Sequence, residues 1–327
     1  MQKIDLQQTA AFLYSCEDAY ILIHQSPDGD CVGSGYSLQA VLSQMGKRAK
    51  VLCADPIPAR YDFLLPEEPE EDFAPQCIIS VDVADPKLLG RYREMYGDRV
   101  DLCIDHHVSN LLYAKQTLLN ADAAAACEIL YKLYRFMEMA DSEYNVNFTE
   151  QIARCLYTGM ATDTGCFKFD NTTPETHLYT AQLMRQFPEI RYGRINRNMF
   201  DVKAPSRLKA EMLMIQAMEY YLDGKCAMIC VTQELREKTG MSEDDTEGLT
   251  GLPTQPEGVE VGITLREREP GVYKVSLRSA NDVNVSAICQ TLGGGGHVKA
   301  AGCLLKGELD AVKQTLVEAV RKGMEQA

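Results

Sequence analysis

Short apolar runs that stop at an acid or a histidine place the strongest constraint on how this chain can fold. Tyr20-Ile21-Leu22-Ile23 is followed by His24, Cys77-Ile78-Ile79-Ser80-Val81 by Asp82, and Val100-Asp101-Leu102-Cys103-Ile104 by Asp105. Runs this short, rich in β-branched residues and followed by turn signals, read as parallel strands buried on both faces. In an open α/β sheet, ligands bind in the crevice beyond the carboxyl ends of the strands, so three distant stretches of sequence are expected to converge on one rim. The fold class expected is α/β, a doubly wound, mainly parallel sheet joined by a helical connector to a smaller α/β domain.

Strand-helix alternation along the chain supports that class. Ser34 to Met45 puts Leu38, Val41, Leu42 and Met45 on one helical face, with Gly46 as the stop. Arg48 to Ala54 returns as a strand, Ala123 to Met137 is a long amphipathic helix, and Thr149 caps the next helix, which precedes the Asp163 turn. Thr173-Pro174 reads as a cap followed by a first helical turn. From Arg194 to Gly224 the pattern is mainly helical. Strands resume at Cys226, and Glu269-Pro270-Gly271 turns a hairpin between Val259 to Arg268 and Val272 to Arg278. Leu309 to Val320 closes the chain as an amphipathic helix, and the acidic Ser242 to Glu247 stretch reads as a solvated loop. The expected domains are 1–193 for catalysis, 194–225 as connector and 226–327 for substrate.

Four clusters hold the polar chemistry: His24-x-x-x-Asp28-Gly29-Asp30, Asp82, Asp105-His106-His107 and Asp163-Thr164-Gly165. Taken singly, Asp-Gly-Asp is commonly a turn and a strand-end Asp is commonly a helix cap. Taken together they hold three of the chain's five histidines and enough oxygen and nitrogen donors for two divalent ions. His24, Asp28, Asp30, Asp82, His106 and Asp163 are the candidate ligands. A carboxylate shared between ions roughly 3.5–4 Å apart allows both the attacking and the leaving oxygen of a phosphoester to be stabilised. Carboxylate and imidazole donors without thiolate suit Mn²⁺, with Mg²⁺ or Co²⁺ as alternatives, and zinc is disfavoured because the cysteines are expected to lie elsewhere.

A second chemical feature lies in the last third. Gly293-Gly294-Gly295-Gly296-His297 reads as a loop whose amides can nest around an anion, with His297 as a directed donor. A flexible hinge is the plain alternative. Arg278, at a strand end, offers a planar fork for phosphate.

The ordered set of His24-x-x-x-Asp28-x-Asp30, Asp82, Asp105-His106-His107 and Asp163-Thr164-Gly165 resembles the DHH phosphoesterase superfamily, and Leu277-Arg278-Ser279 with Gly293 to His297 and Ala300-Ala301-Gly302 resembles the substrate-binding domain that accompanies it in one branch. The resemblance spans nearly the whole chain. It implies that His24, Asp28 and Asp82 hold one metal and that Asp30, Asp82, His106 and Asp163 hold the other. It also implies that His107 faces the scissile phosphate and that Asp105 orients a histidine. Within the superfamily, the layout is most similar to the nanoRNase/pAp phosphatase branch. The activity so implied is hydrolysis of short oligoribonucleotides from the 3′ end and of 3′-phosphoadenosine 5′-phosphate (pAp) to AMP, with substrate lying between metal centre and glycine loop. Cleavage of a cyclic dinucleotide or its linear product is the alternative, and a non-catalytic nucleotide sensor is disfavoured by the complete donor set.

Composition narrows the partners. The formal net charge of −14 and the lack of a basic run exclude a broad phosphate-binding face, so a short RNA or small phosphorylated nucleotide is expected rather than a long duplex. The twelve cysteines form no Cys-x-x-Cys pair and are expected to be reduced and packed. Residues Met1 to Glu17 hold no sustained apolar core, so neither signal peptide nor membrane span is expected, and the expected location is cytoplasmic. Helical surfaces in the connector leave a homodimer open.

Overall fold

The computed structural model describes residues 2–66, 72–140, 144, 146–241 and 248–325, with the side chain of His297 outside the description. The acidic stretch 242–247 lies outside the described residues. The chain divides into two compact units, Met1–Val202 and Lys203–Ala327, the division falling inside the 194–225 segment.

The first unit is built on a six-stranded sheet in the order β1-β6-β5-β4-β2-β3. The strands are β1 (Gln2–Lys3), β2 (Ala19–Leu22), β3 (Ala49–Leu52), β4 (Cys77–Val81), β5 (Leu102–Asp105) and β6 (Gln116–Leu119). Each of the pairings is parallel. Alternate residues feed opposite faces: Ile21, Ile79 and Ile104 join one apolar cluster, whereas Tyr20, Leu22, Ile78 and Cys103 join another. Both faces are therefore covered, which is why these strands are uninterrupted apolar runs. The chain leaves β2 for β3 on one side and returns to β4 on the other, so the switch point lies between β2 and β4.

Helices α1 (Leu6–Ser15), α2 (Gly29–Gln44), the short α3 (Arg93–Tyr96), α4 (Ala126–Met139), α5 (Glu150–Asp163), α6 (Pro174–Gln186) and α7 (Tyr192–Asn196) complete this unit. Thr149 and Thr173 cap α5 and α6 as their side chains promise. Helix α2 starts five residues before the expected Ser34. Asp28 is its cap and accepts from the Asp30 and Cys31 amides, so Asp-Gly-Asp is a helix start rather than a free turn. Close approach of α2 and α5 requires small residues: a Cβ on Gly33 would lie 2.4 Å from the Cys155 carbonyl oxygen, and one on Gly29 equally close to Thr162.

The second unit carries the mixed sheet β11-β12-β10-β9-β8-β7. Its strands are β7 (Glu219–Tyr221), β8 (Cys226–Val231), β9 (Val261–Glu269), β10 (Val272–Ser279), β11 (Gly295–His297) and β12 (Ala300–Lys306). Its helices are α8 (Pro205–Gln216), α9 (Gln233–Thr239), α10 (Val285–Thr291) and α11 (Leu309–Met324). The expected hairpin is present as antiparallel β9-β10, while β8 and β9 run parallel. Val285 and Ile288 of α10 and Val312, Leu316 and Val320 of α11 pack on the inward residues Ile263, Leu265, Val275 and Leu277. The glycine run is only partly a loop, because Gly295 and Gly296 pair with Gly302 and Ala301 in β11-β12.

Candidate active site

The carboxyl ends of β2, β4 and β5 deliver His24, Asp82 and Asp105 to one rim, and α2 and α5 add Asp28, Asp30 and Asp163. Asp82 sits at the centre, with 2 % of its surface exposed and a left-handed φ of 58°. That conformation is uncommon for a residue with a Cβ, and its occurrence here is strain held by the surrounding packing. One Asp82 oxygen, Oδ2, is 3.5 Å from His24 Nε2, and the other, Oδ1, is 3.6 Å from His106 Nε2. His24 Nε2 also lies 3.7 Å from Asp28 Oδ1, and His106 Nε2 3.2 Å from Asp163 Oδ2.

Backbone carbonyls set both imidazoles. His24 Nδ1 contacts the Gln25 oxygen at 2.8 Å and His106 Nδ1 the Ala123 oxygen at 3.2 Å. With Nδ1–H donated in this way, Nε2 is the ring atom that each imidazole turns toward the carboxylates. Asp30 is anchored differently. Its carboxylate accepts from the Ala126 and Cys127 amides and so caps α4, whose own Ala125 has no side chain to do it.

Asp105 is fully buried. It accepts from the His106 and His107 amides and from Asn110 Nδ2, and its Oδ1 is 2.8 Å from His107 Nδ1. Burial works against ionisation of either partner, yet their hydrogen bond holds the Asp105 carboxyl below its ordinary range and raises His107.

The electrostatics call for positive charge. Burial, then the charge of Asp82, pushes the Asp30 carboxyl up to about 7. Burial and Asp30 push Asp163 well above the usual range, and burial raises Asp82. Burial would lower His106, but the carboxylates of Asp163, Asp30 and Asp82 beside it raise it to about 10. Asp82 Oδ1 and His106 Nε2 are buried without a hydrogen-bond partner among the described residues. Unsatisfied lone pairs among crowded carboxylates fit divalent metal, which neutralises the acids and takes the orphaned atoms as ligands. Three overlapping donor groups are close enough to do so: His24, Asp28, Cys31 and Asp82; Asp82, His106 and His107; and Asp30, His106 and Asp163. Cys31 corrects the expectation that cysteines stay clear of this cluster. Its signal was the spacing: three residues after a helix cap, a side chain shares the cap's surroundings.

The second unit holds a groove of about 690 Å³ lined by Arg266, Lys274, Ser276, Arg278 and Gly295 among others. Lys274, Ser276 and Arg278 share one face of β10 by strand alternation, and Arg266 of β9 stands opposite Lys274. Arg278 donates from Nη2 to Thr250 Oγ1 at 3.3 Å. Arg266 and Lys274 were absent from the sequence candidates, since only strand register reveals that they join Arg278. The four glycines differ in purpose. A Cβ on Gly294 would meet the Gly302 oxygen at 2.2 Å and one on Gly296 the Ala300 oxygen at 2.6 Å, whereas Gly293 and Gly295 have open space.

Residues 18–160 match the DHH family, N-terminal domain, and residues 225–325 the DHHA1 domain. The chain is 34 % identical, over 94 % of its length and 90 % of the relative's, to the bifunctional oligoribonuclease and PAP phosphatase NrnA of Thermus thermophilus. The chain belongs to the DHH family. The Bacillus subtilis protein of the same description is 24 % identical over 85 % of this chain and 86 % of its own. Among solved structures, an exopolyphosphatase-related protein from Bacteroides fragilis superposes with a TM-score of 0.86 at 22 % identity, covering 97 % of this chain and 95 % of that one. RecJ from Thermus thermophilus, in complex with Mn²⁺, gives 0.53 at 12 % identity, covering 97 % of this chain and 55 % of RecJ. These two likenesses show that the fold is shared with those proteins. Among the described residues, no helix is long and apolar enough to cross a membrane.

Proposed function

We propose that this DHH-family protein is a two-metal phosphoesterase that trims short oligoribonucleotides from the 3′ end, releasing nucleoside 5′-monophosphates, and hydrolyses pAp to AMP. One observation carries this reading. A buried Asp82 divides its two oxygens between complementary donor groups, in a chain 34 % identical to an oligoribonuclease and PAP phosphatase along 94 % of its length. In both reactions the bond broken is P–O3′, so one centre serves both.

His24, Asp28 and Asp82 would hold one ion and Asp30, Asp82, His106 and Asp163 the other, with Mn²⁺ matching the oxygen and imidazole donors. When bound, such ions neutralise phosphate charge and lower the pKa of water so that hydroxide is available near neutrality. Gln25 and Ala123 carbonyls keep the His24 and His106 rings in one tautomer. His107, held by Asp105, would donate to the scissile phosphate, and water would supply the oxygen without a covalent enzyme intermediate. Arg266, Lys274 and Arg278, with Gly293 to Gly296 and His297, would capture substrate phosphates in the second unit. Cytoplasmic residence accords with twelve cysteines that are all free.

The test is a metal-reconstituted assay comparing pAp, two- to five-nucleotide RNA, a linear dinucleotide and a cyclic dinucleotide. The highest kcat/KM on short RNA, with pAp also turned over, is expected. Exclusive cleavage of a cyclic or 5′-phosphorylated linear dinucleotide would replace this reading with a dinucleotide phosphodiesterase, and no turnover of any substrate would favour a sensor.

A further inference from the structure

The two halves of the Asp82-centred cluster are chemically unequal. Asp30, His106 and Asp163 offer oxygen and imidazole nitrogen alone, while the group with His24, Asp28 and Asp82 includes the sulfur of Cys31. Cys31 lies in the first turn of α2 and is fully buried. Its thiol donates to the Asp28 carbonyl oxygen at 3.6 Å, a weak contact that leaves sulfur within 4.8 Å of the His24, Asp28 and Asp82 donor atoms. Other buried thiols in this unit, such as those of Cys127 and Cys155, pack against backbone carbonyls and join no such group among the described residues. Asp82, whose Oδ2 faces His24, has its other oxygen, Oδ1, toward His106 and without a hydrogen-bond partner among the described residues, which marks the shared centre as short of a cation.

We propose that Cys31 is a fourth donor to the ion held by His24, Asp28 and Asp82, and that it biases this position toward a borderline-soft ion, Co²⁺ or Zn²⁺, relative to the Asp30–His106–Asp163 position. The inference rests on the metal-ligand reading of those residues. One nitrogen, two carboxylates and a sulfur form a four-donor set that zinc and cobalt accept readily, whereas manganese and magnesium gain little from thiolate. The thiol proton leaves to solvent as the ion binds. A centre built this way selects different metals at its two positions, the thiol-containing one discriminating and the other oxygen-rich.

The experiment is titration of the metal-stripped, full-length protein with Co²⁺, followed by near-ultraviolet absorption and by equilibrium dialysis. Cobalt uptake by the wild type is expected to produce a sulfur-to-cobalt charge-transfer band. In Cys31→Ser, and in Cys31→Ala should the serine variant misfold, uptake should persist without the band. The Cys166→Ser control should keep it. The ratio of Zn²⁺ to Mn²⁺ affinity should fall about tenfold or more in the Cys31 variants, as loss of a group that tunes a metal site does. Wild-type uptake without the band, or a band that survives in Cys31→Ser, overturns sulfur ligation and leaves the proposed function standing. Absence of cobalt uptake altogether overturns both.

Discussion

The two units solve opposite electrostatic problems. The parallel sheet of the first ends in a crowd of carboxylates around Asp82, which repels phosphate until cations are present. The mixed sheet of the second lays Arg266, Lys274 and Arg278 along one groove, the surface proposed to capture phosphate. Their strands explain the split. A parallel strand buried on both faces can place polar groups only beyond its end, whereas a strand with one accessible face can alternate them along its length. On the proposed function, chemistry and capture fall to separate surfaces, so altering one is expected to leave the other in place.

Removing Asp82, the proposed shared ligand, should give the largest effect. Asp82→Ala is expected to lower kcat by about 10³-fold or more, the several kcal/mol that metal stabilisation supplies, while circular dichroism shows a folded protein. Near-normal turnover by a metal-depleted Asp82→Ala protein would break the comparison at its acidic end.

Asp105→Asn probes the support of His107. Loss of the 2.8 Å contact to a carboxylate should cost about 10–100-fold in kcat, with both metals retained by dialysis. Loss of an ion instead would move Asp105 into the ligand set.

Arg266→Ala and Arg278→Ala sharpen the cationic end. Each should raise KM for short RNA about tenfold, the loss of a charge-assisted hydrogen bond, and leave metal stoichiometry unchanged. A fall in kcat with unchanged KM would mean that the two surfaces are not separable. On RNAs of two to about twenty-four nucleotides at fixed salt, kcat/KM should decline with length, because few cations serve a chain of net charge −14. A rising profile would indicate a basic track for long nucleic acid.

The smallest effect is thermal. Asp30 raised to about 7 and His106 raised to about 10 mean that the metal-free native state holds protons the unfolded chain has lost. Stability of the chelated protein should therefore fall as pH rises from about 5 through 7 and onward toward 10. Metal binding, which needs deprotonated ligands, strengthens over the same range. The difference in Tm between Mn²⁺-loaded and chelated protein should widen with pH, reaching about 5 °C per ion at 100 times its dissociation constant. A pH-independent difference would show that these groups do not bind the ions.

Much of this arrangement was legible along the chain. The strand-end positions of His24, Asp82 and Asp105 followed from where apolar runs stop, and the caps Thr149 and Thr173 from their side-chain chemistry, since both are local properties. The early start of α2 was hidden because Asp28 serves at once as cap and as candidate ligand. The glycine run was legible as a place of close approach, but only pairing with β12 separates Gly294 and Gly296, which leave no room for a Cβ, from Gly293 and Gly295, which face open space.

The amino-acid order by itself determined the family motifs, the parallel-strand class and the inventory of acids and imidazoles, because each is written in residue type and short-range spacing. Tertiary structure alone decided that Asp30 caps α4 across 96 positions of chain, that Cys31 stands beside His24 and Asp82, and that Arg266 lines up with Lys274 and Arg278. Those relations depend on register and packing between distant segments, and distance through space is fixed only once the helices and strands have closed on one another.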